Sequence, residues 1–322
     1  MDSNSICQRF HLVPSVIKVS SHQPSLAVLG SLTIDDIALN GRKKRGAGGA
    51  AWYVSITSAS LGAHVEVISR IGMDYPQRNL AWLKGNSLTV RNVRREPGKT
   101  CHFELNYEGG FRTMRLLQRG AVLSHGDLNG YWDGVHIGPV FGEVPISLVR
   151  DCKRCANVIS MDLQGFVRER DSAGMIFLRP AALEGVLRFV DLLKATSEEL
   201  LVQTGASGLA SAISGILRHG PRWLVVTLGR KGAILAEKGG RTLKIPAYPE
   251  TSLSDPTGAG DALVGGWLST FAATGDSLWA MCIGTAVASL LVRRSGLARF
   301  RWSDVELLRR AVWVRERIRP YA

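Results

Sequence analysis

Long apolar runs are missing from this sequence. No uninterrupted stretch approaches the roughly 20 residues that a helix needs to cross a bilayer, so a membrane-spanning role is not expected. Cysteine is scarce, with five in 322 residues. Of Cys7, Cys101, Cys152, Cys155 and Cys282, only Cys152-Lys153-Arg154-Cys155 has metal or redox spacing. There is no second CxxC and no His pair at zinc spacing, so ordinary reduced thiols or an incidental local disulfide are expected. Acidic residues are in deficit, 27 against 40 basic ones, for a formal charge of +13. A basic surface attracts nucleic acid, membrane headgroups or anionic metabolites. Here the basic residues are scattered, as Arg42-Lys43-Lys44-Arg45, Arg94-Arg95, Arg293-Arg294 and Arg309-Arg310, with no aromatic-interleaved platform. Nucleic acid is therefore not the expected partner.

What is present is core material. Hydrophobic residues make up 45% and charged residues 21%, which leaves no disorder signature. The length suits one large α/β domain. Residues 1–25 mix polar and apolar positions without a signal-peptide layout. They read as a poorly ordered leader to a domain spanning residues 26–322, and a cytoplasmic location is expected.

Along the chain, short apolar runs alternate with helical segments. Leu26-Ala27-Val28-Leu29-Gly30 reads as a buried first strand, with Asp35 and Asp36 just past its end. Strands follow at Val65-Glu66-Val67-Ile68, Gly134-Val135-His136-Ile137, Val158-Ile159-Ser160-Met161, Phe189-Val190-Asp191-Leu192-Leu193 and Trp223-Leu224-Val225-Val226-Thr227. Long helices are predicted over residues 50–61, 258–271, 278–292 and 303–315. Repeated strand–helix units imply a mostly parallel sheet covered on both faces, with ligands at the carboxyl ends of its strands. Residues 100–117 alternate loosely around Glu108-Gly109-Gly110 and read as a hairpin. With residues 36–47 they form an expected lid that closes over substrate and excludes water.

The chemistry is concentrated in Asp255-Pro256-Thr257-Gly258-Ala259-Gly260-Asp261, followed by the helical run Ala262-Leu263-Val264-Gly265-Gly266-Trp267-Leu268. Backbone N–H groups at a helix N-terminus, with the positive end of its dipole, bind anions. A carboxylate in that first turn can accept a proton from an attacking hydroxyl. The plainer reading is a tight turn with Asp261 merely complementing the dipole.

The segment resembles the C-terminal signature of the ribokinase/PfkB family of carbohydrate kinases, usually Asp-Thr-x-Gly-Ala-Gly-Asp. Other parts fall in the same order. Gly30-Ser31 to Asp35 resembles the family's first strand and substrate-binding aspartate; Gly48-Gly49, Leu61-Gly62-Ala63 and Gly72-Met73-Asp74 resemble the first signature region. Asp191-Leu192-Leu193-Lys194 to Glu199 is similar to the Asn-x-x-Glu segment, and the run from Val225 to Ala233 to the nucleotide-binding strand and turn. The resemblance spans about residues 26–300. It implies a ribokinase-like three-layer α/β/α sandwich with a mostly parallel sheet and a small β lid, often paired between subunits, so a homodimer is expected.

By the same resemblance, Asp261 is the general base and the N–H groups of Gly258, Ala259 and Gly260 form the anion hole. Thr227, Gly229, Gly232 and Thr257 face ATP. Mg2+ rides on the phosphates near Glu199, through water. Asp255 and Thr257 lie where some members bind a monovalent cation such as K+. Asp35, Gly48, Gly49, Tyr53, Asp162, Gln164 and Arg168 are the candidate substrate contacts, although the Asp162–Arg168 run reads equally as a polar loop. The acceptor is expected to be a small sugar or polyol, with a nucleoside as the alternative; a non-catalytic ligand-binding protein on this fold is a third reading.

The chain departs from the family in three places. Tyr53 stands where Asn is common, and could stack on a ring or be buried. Thr196 replaces the Asn of Asn-x-x-Glu. Pro256 replaces Thr and removes one N–H ahead of the anion hole. These departures bear on the substrate more than on the reaction.

Overall fold

The computed structural model describes residues 23–39, 41–108, 111–250, 255–293 and 300–321. Most of the expected leader, the hairpin tip Gly109-Gly110 and Arg294 lie outside the described residues.

The strands, in chain order, are β1 (Ser25–Leu29), β2 (Thr33–Leu39), β3 (Arg42–Gly48), β4 (His64–Gly72), β5 (Val93–Glu96), β6 (His102–Glu108), β7 (Phe111–Gln118), β8 (Trp132–Ile137), β9 (Ala156–Asp162), β10 (Arg168–Arg170), β11 (Ile176–Leu178), β12 (Leu192–Thr196), β13 (Trp223–Thr227), β14 (Ala233–Glu237), β15 (Thr242–Ile245) and β16 (Arg319–Pro320). The helices are α1 (Ala50–Ser60), α2 (Gln77–Gly85), α3 (Ile146–Cys152), α4 (Gln164–Val167), α5 (Glu184–Leu187), α6 (Ser197–Thr204), α7 (Leu209–Arg218), α8 (Ala259–Thr274), α9 (Ser277–Arg293) and α10 (Asp304–Arg315).

Ten strands form one sheet in the order β16-β15-β14-β13-β12-β9-β8-β1-β4-β5. From β13 to β5 every pairing is parallel; β14, β15 and β16 add antiparallel strands at one edge. Strand residues alternate between faces. Thus Leu26 and Val28 enter one core layer, with Trp52, Leu263, Trp267 and Leu307, while Ala27 and Leu29 enter the other, with Leu148, Leu200 and Ile213. With both faces buried, these strands read as continuous apolar runs rather than alternating ones. The result is a three-layer α/β/α sandwich.

A second sheet, β3-β2-β6-β7, forms the lid. Its inner face buries Ile37, Phe103, Leu105 and Leu116 against Ala50, Val140 and Phe141. The lid begins earlier than the sequence suggests. Asp35 lies inside β2 rather than in a loop after β1, because β2 pairs in parallel with β6, Ile34 beside His102 and Asp35 beside Phe103.

Strand β12 also differs from expectation, beginning three residues after Phe189. Its register is set by Leu192 beside Ser160 and Thr196 beside Thr227. The polar Lys194 breaks the apolar pattern in sequence, yet it stays in the strand because its ammonium is paired. Helix α3 stops at Cys152, and both Cys152 and Cys155 are free thiols. Burial raises both thiols' pKa values, and no cluster of three or more metal-ligating side chains occurs among the described residues. No single helix among them is long and apolar enough to cross a membrane.

Candidate active site

The site lies where β2, β6 and β7 of the lid face the N-termini of α1 and α8. Helix α8 starts after Gly258, whose φ of 80° and ψ of 3° lie in the left-handed region. A Cβ there would also fall 2.4 Å from the Tyr53 ring, so glycine is required by both conformation and space. This turn leaves the first N–H groups of α8 without intrahelical partners. Ala259 N–H donates to the Pro256 carbonyl at 3.2 Å, but no acceptor is found among the described residues for the N–H groups of Gly260 and Asp261. Of the N–H groups expected to form an anion hole, that of Ala259 is engaged in the turn.

The Asp261 carboxylate has no hydrogen-bond partner or ion pair among the described residues, and it opens into a cavity. Thr33, Asp35, Gly49, Arg112, Gln164 and Arg168 share that cavity with it. Burial pushes the Asp261 carboxyl up to about 6; the Lys194 charge pulls it down, Asp162 pushes it up, and Arg168 and Arg112 pull it down. Asp35 is 4% exposed and accepts from the Thr33 hydroxyl at 2.7 Å. Burial pushes it up to about 7, against that hydrogen bond and with the help of the Asp261 charge. Both groups are ionisable close to neutrality, the range in which a general base works best.

Gly48 sits at the end of β3 against Asp35. A Cβ on it would lie 1.8 Å from Asp35 Oδ2. The backbone there needs no unusual φ, so Gly48→Ala acts through Asp35 and the Thr33 hydroxyl that donates to it, whose oxygen would lie 3.0 Å from the new Cβ. A displacement of this kind costs on the order of 100-fold in kcat/KM. Steady-state kinetics should show that loss while the thermal transition stays cooperative.

Apart from Gly48, Asp255, Ala259 and Gly260, the sequence-predicted residues divide into three groups. Asp35, Gly49, Tyr53, Gln164, Arg168, Thr257, Gly258 and Asp261 line the cavity. Asp162 does not: its Oδ1 accepts from Gln164 N–H at 3.1 Å and its Oδ2 from Lys194 Nζ at 2.7 Å. It holds the wall rather than being part of it. Thr227, Gly229, Gly232 and Glu199 lie to one side, at the carboxyl ends of β12 and β13. Thr196 and Thr227 are register partners there, and Thr196 caps α6. Its hydroxyl accepts from Glu199 N–H at 3.2 Å while Glu199 Oε2 accepts from Thr196 N–H at 2.8 Å. The Asn-to-Thr departure thus preserves a capping box that fixes Glu199. With no cluster of three or more metal-ligating side chains among the described residues, a divalent ion beside Glu199 would draw most of its ligands from phosphates and water. Tyr53 is buried against Gly258 and lies 6.5 Å from the Phe300 ring.

Sequence reasoning missed Lys194, Arg112 and Glu143. Lys194 is buried beside Gly260 and Asp162. Burial opposes its charge, but Asp162, Glu199 and Asp261 outweigh burial and raise its pKa. A lysine inside an apolar strand was the available signal. Arg112 reaches the cavity from β7. Arg168 donates to the Val140 carbonyl at 3.1 Å and Gln164 Oε1 at 2.9 Å, with no carboxylate in ion-pair range among the described residues. Burial lowers its pKa. Glu143 positions this wall, accepting from the N–H groups of Ser31, Val140 and Phe141 at 2.8 to 3.0 Å.

A buried carboxylate at a helix N-terminus, orphan N–H groups beside it and a second buried carboxylate on the lid form an arrangement suited to binding an anion beside a hydroxyl. The profile described as pfkB family carbohydrate kinase matches residues 23–303. The chain belongs to the pfkB family of carbohydrate kinases. This pfkB-family chain is 28% identical over 255 residues to a cytidine kinase of Thermococcus kodakarensis, covering 76% of this chain and 88% of that one. It is 23% identical over 305 residues to an inositol 3-kinase of Arabidopsis thaliana, covering 90% and 81%. Among solved structures, a pyrophosphate-dependent kinase in the ribokinase family superposes with a TM-score of 0.75 at 25% identity, covering 84% of this chain and 96% of that one. Arabidopsis thaliana ribokinase complexed with ribose and ATP gives 0.72 at 20% identity, over 90% and 99%. The fold is ribokinase-like.

Proposed function

We propose that this pfkB-family chain transfers the γ-phosphate of ATP, carried with Mg2+, to a hydroxyl of a small sugar or polyol. The observation that carries the reading is the unpartnered Asp261 carboxylate beside the orphan N–H groups of Gly260 and Asp261, in a cavity shared with Asp35. Asp261 takes the proton of the attacking hydroxyl. The helix N-terminus, with Arg168 and Arg112, stabilises charge on the transferring group; one well-placed donor of this kind is worth roughly 3 kcal/mol. Asp35, as an ionised carboxylate, accepts hydrogen bonds from hydroxyls of the acceptor and orients it. Thr227, Gly229 and Gly232 form the side on which the nucleotide lies, and Glu199 steadies the metal's water shell.

Strands β2, β6 and β7 of the lid wall this cavity, so closure of the lid over a bound acceptor excludes water from the reacting groups.

The test is product formation across a matrix of donors and acceptors. ATP, ADP and pyrophosphate are offered with hexoses, pentoses, inositols and nucleosides, and the phosphorylated product is read by mass spectrometry. Phosphate transfer from ATP to a sugar or polyol is expected. A nucleoside acceptor is the second reading, favoured by the similarity to the Thermococcus kodakarensis cytidine kinase over most of its length. Tight acceptor binding without transfer from any donor would instead support a non-catalytic role.

The two raised carboxyls set the pH dependence. Asp261 must be ionised to take a proton and Asp35 to accept hydroxyls, so kcat/KM falls as pH drops through about 7 and then about 6. Below both values the loss approaches ~100-fold per pH unit, since kcat/KM reports ionisations of the free enzyme. A profile flat down to pH 5 would remove Asp261 from the role of base.

A further inference from the structure

The basic run Arg42-Lys43-Lys44-Arg45 forms most of β3, an edge strand of the lid. Its side chains alternate between faces. Lys44 is the register partner of Ile37, whereas Arg45 is the partner of Asp36. Arg45 accordingly pairs with Asp36 on the outer face, at 2.6 and 2.8 Å. Lys44, on the same face as Asp35 and Ile37, reaches across to Asp255 Oδ2 at 2.7 Å. The lysine side chain is 45% exposed, but the aspartate is 1% exposed. Asp255 Oδ1 accepts from Thr257 N–H at 2.9 Å, and the Thr257 hydroxyl is hydrogen-bonded to the Tyr107 hydroxyl of β6 at 2.8 Å. Two lid side chains therefore hold the segment that leads into the Gly258–Asp261 turn.

Asp255 is the position at which the family resemblance implies a monovalent cation. The residues present do not fit one. A potassium ion on Asp255 would share a buried carboxylate with the Lys44 ammonium, and two cations held at ion-pair distance on one carboxylate repel each other. We propose that Lys44 takes the place of the monovalent cation: its ammonium holds Asp255, and through it the 255–261 segment, so that ordering of the anion cradle depends on lid closure instead of on potassium. The proposal rests on the kinase reading only for its kinetic arm. Lys44 is a positioning residue in it, acting through Asp255.

The experiment compares potassium chloride with tetramethylammonium chloride at equal ionic strength, using wild type, Lys44→Met and Lys44→Arg. Wild-type kcat/KM is expected to be equal in the two salts. Lys44→Met should lose on the order of 100-fold in tetramethylammonium, the scale of an unfixed catalytic loop, and potassium should restore most of it. Lys44→Arg keeps a cation at this position and should stay salt-insensitive. A second readout needs no acceptor: potassium should raise the Tm of Lys44→Met relative to tetramethylammonium, and leave that of wild type unchanged. Three results would each overturn the proposal: a wild type that requires potassium, a Lys44→Met variant as fast as wild type in tetramethylammonium, or a slow variant that potassium neither accelerates nor stabilises. If no acceptor is phosphorylated in any salt, the kinase reading fails, and the Tm comparison still decides the role of Lys44.

Discussion

Asp261→Asn lowers kcat by ~100- to 10,000-fold, the range supplied by a positioned general base, and at the same time makes the protein more stable. The first effect follows because the amide cannot take the acceptor's proton. The second follows from the carboxyl's environment. Its folded pKa is raised to about 6 from 3.8, so the folded chain holds the proton more tightly than the unfolded chain does. The penalty for burying the ionised form is fully present above about 6, shrinks as pH falls through that value, and is gone below about 4. Asparagine removes it at every pH. At pH 8 the gain is ~1–3 kcal/mol at 1.36 kcal/mol per pKa unit, and at pH 4 it vanishes. Denaturant unfolding of the two proteins at the two pH values measures this difference. Full activity in the variant would show that Asp261 is not the base, and equal stability at pH 8 would show that its carboxylate is not held at a cost.

Lys194→Met destabilises the fold by ~3–5 kcal/mol, the usual cost of removing one partner from a buried ion pair. The Lys194 and Asp162 side chains are 5% and 0% exposed. Without the ammonium, Asp162 keeps the Gln164 N–H at 3.1 Å but loses its countercharge. Replacing both, as Lys194→Met with Asp162→Leu, should recover much of the loss, because an apolar pair of similar volume is often no worse than the ion pair. A single variant within ~1 kcal/mol of wild type, measured by denaturant unfolding, would contradict the assignment. The pair also tunes the base. Lys194 pulls the Asp261 pKa down and Asp162 pushes it up, so Lys194→Met moves the acid limb of the pH profile to higher pH and Asp162→Asn moves it to lower pH. A purely structural pair would shift neither limb.

The helix N-terminus at Gly258–Asp261 was legible because its determinants are local. Gly258, Gly260 and Asp261 lie within one helical turn, and the ordered motifs around them, rather than the turn by itself, pointed to phosphoryl transfer. Even so, the state of individual N–H groups required coordinates: Pro256 draws the Ala259 N–H into the turn, while those of Gly260 and Asp261 are left without an acceptor among the described residues. The acceptor side was harder to read. Asp35 belongs to the lid because β2 pairs with β6 across 68 residues of chain, Ile34 beside His102, and no local pattern encodes that pairing. Asp162 looked like a wall residue because it ends an apolar strand. Its role passes to Gln164 and Arg168 once Lys194 claims its carboxylate. The strand at Leu192–Thr196 was placed too early for the same reason, since a lysine in an apolar run reads as an end until its counterion is seen.

By itself, the sequence determined the layered α/β architecture and the motif that names the reaction. Both rest on patterns repeated within a few residues: apolar strands buried on two faces, and a glycine turn at a helix N-terminus. Only the tertiary structure decided which charges meet. Lys44 and Asp255 are 211 residues apart and Lys194 and Asp162 are 32 apart. Ion pairs between side chains on different strands and loops depend on sheet order and register, which long-range packing settles and short-range sequence pattern does not record.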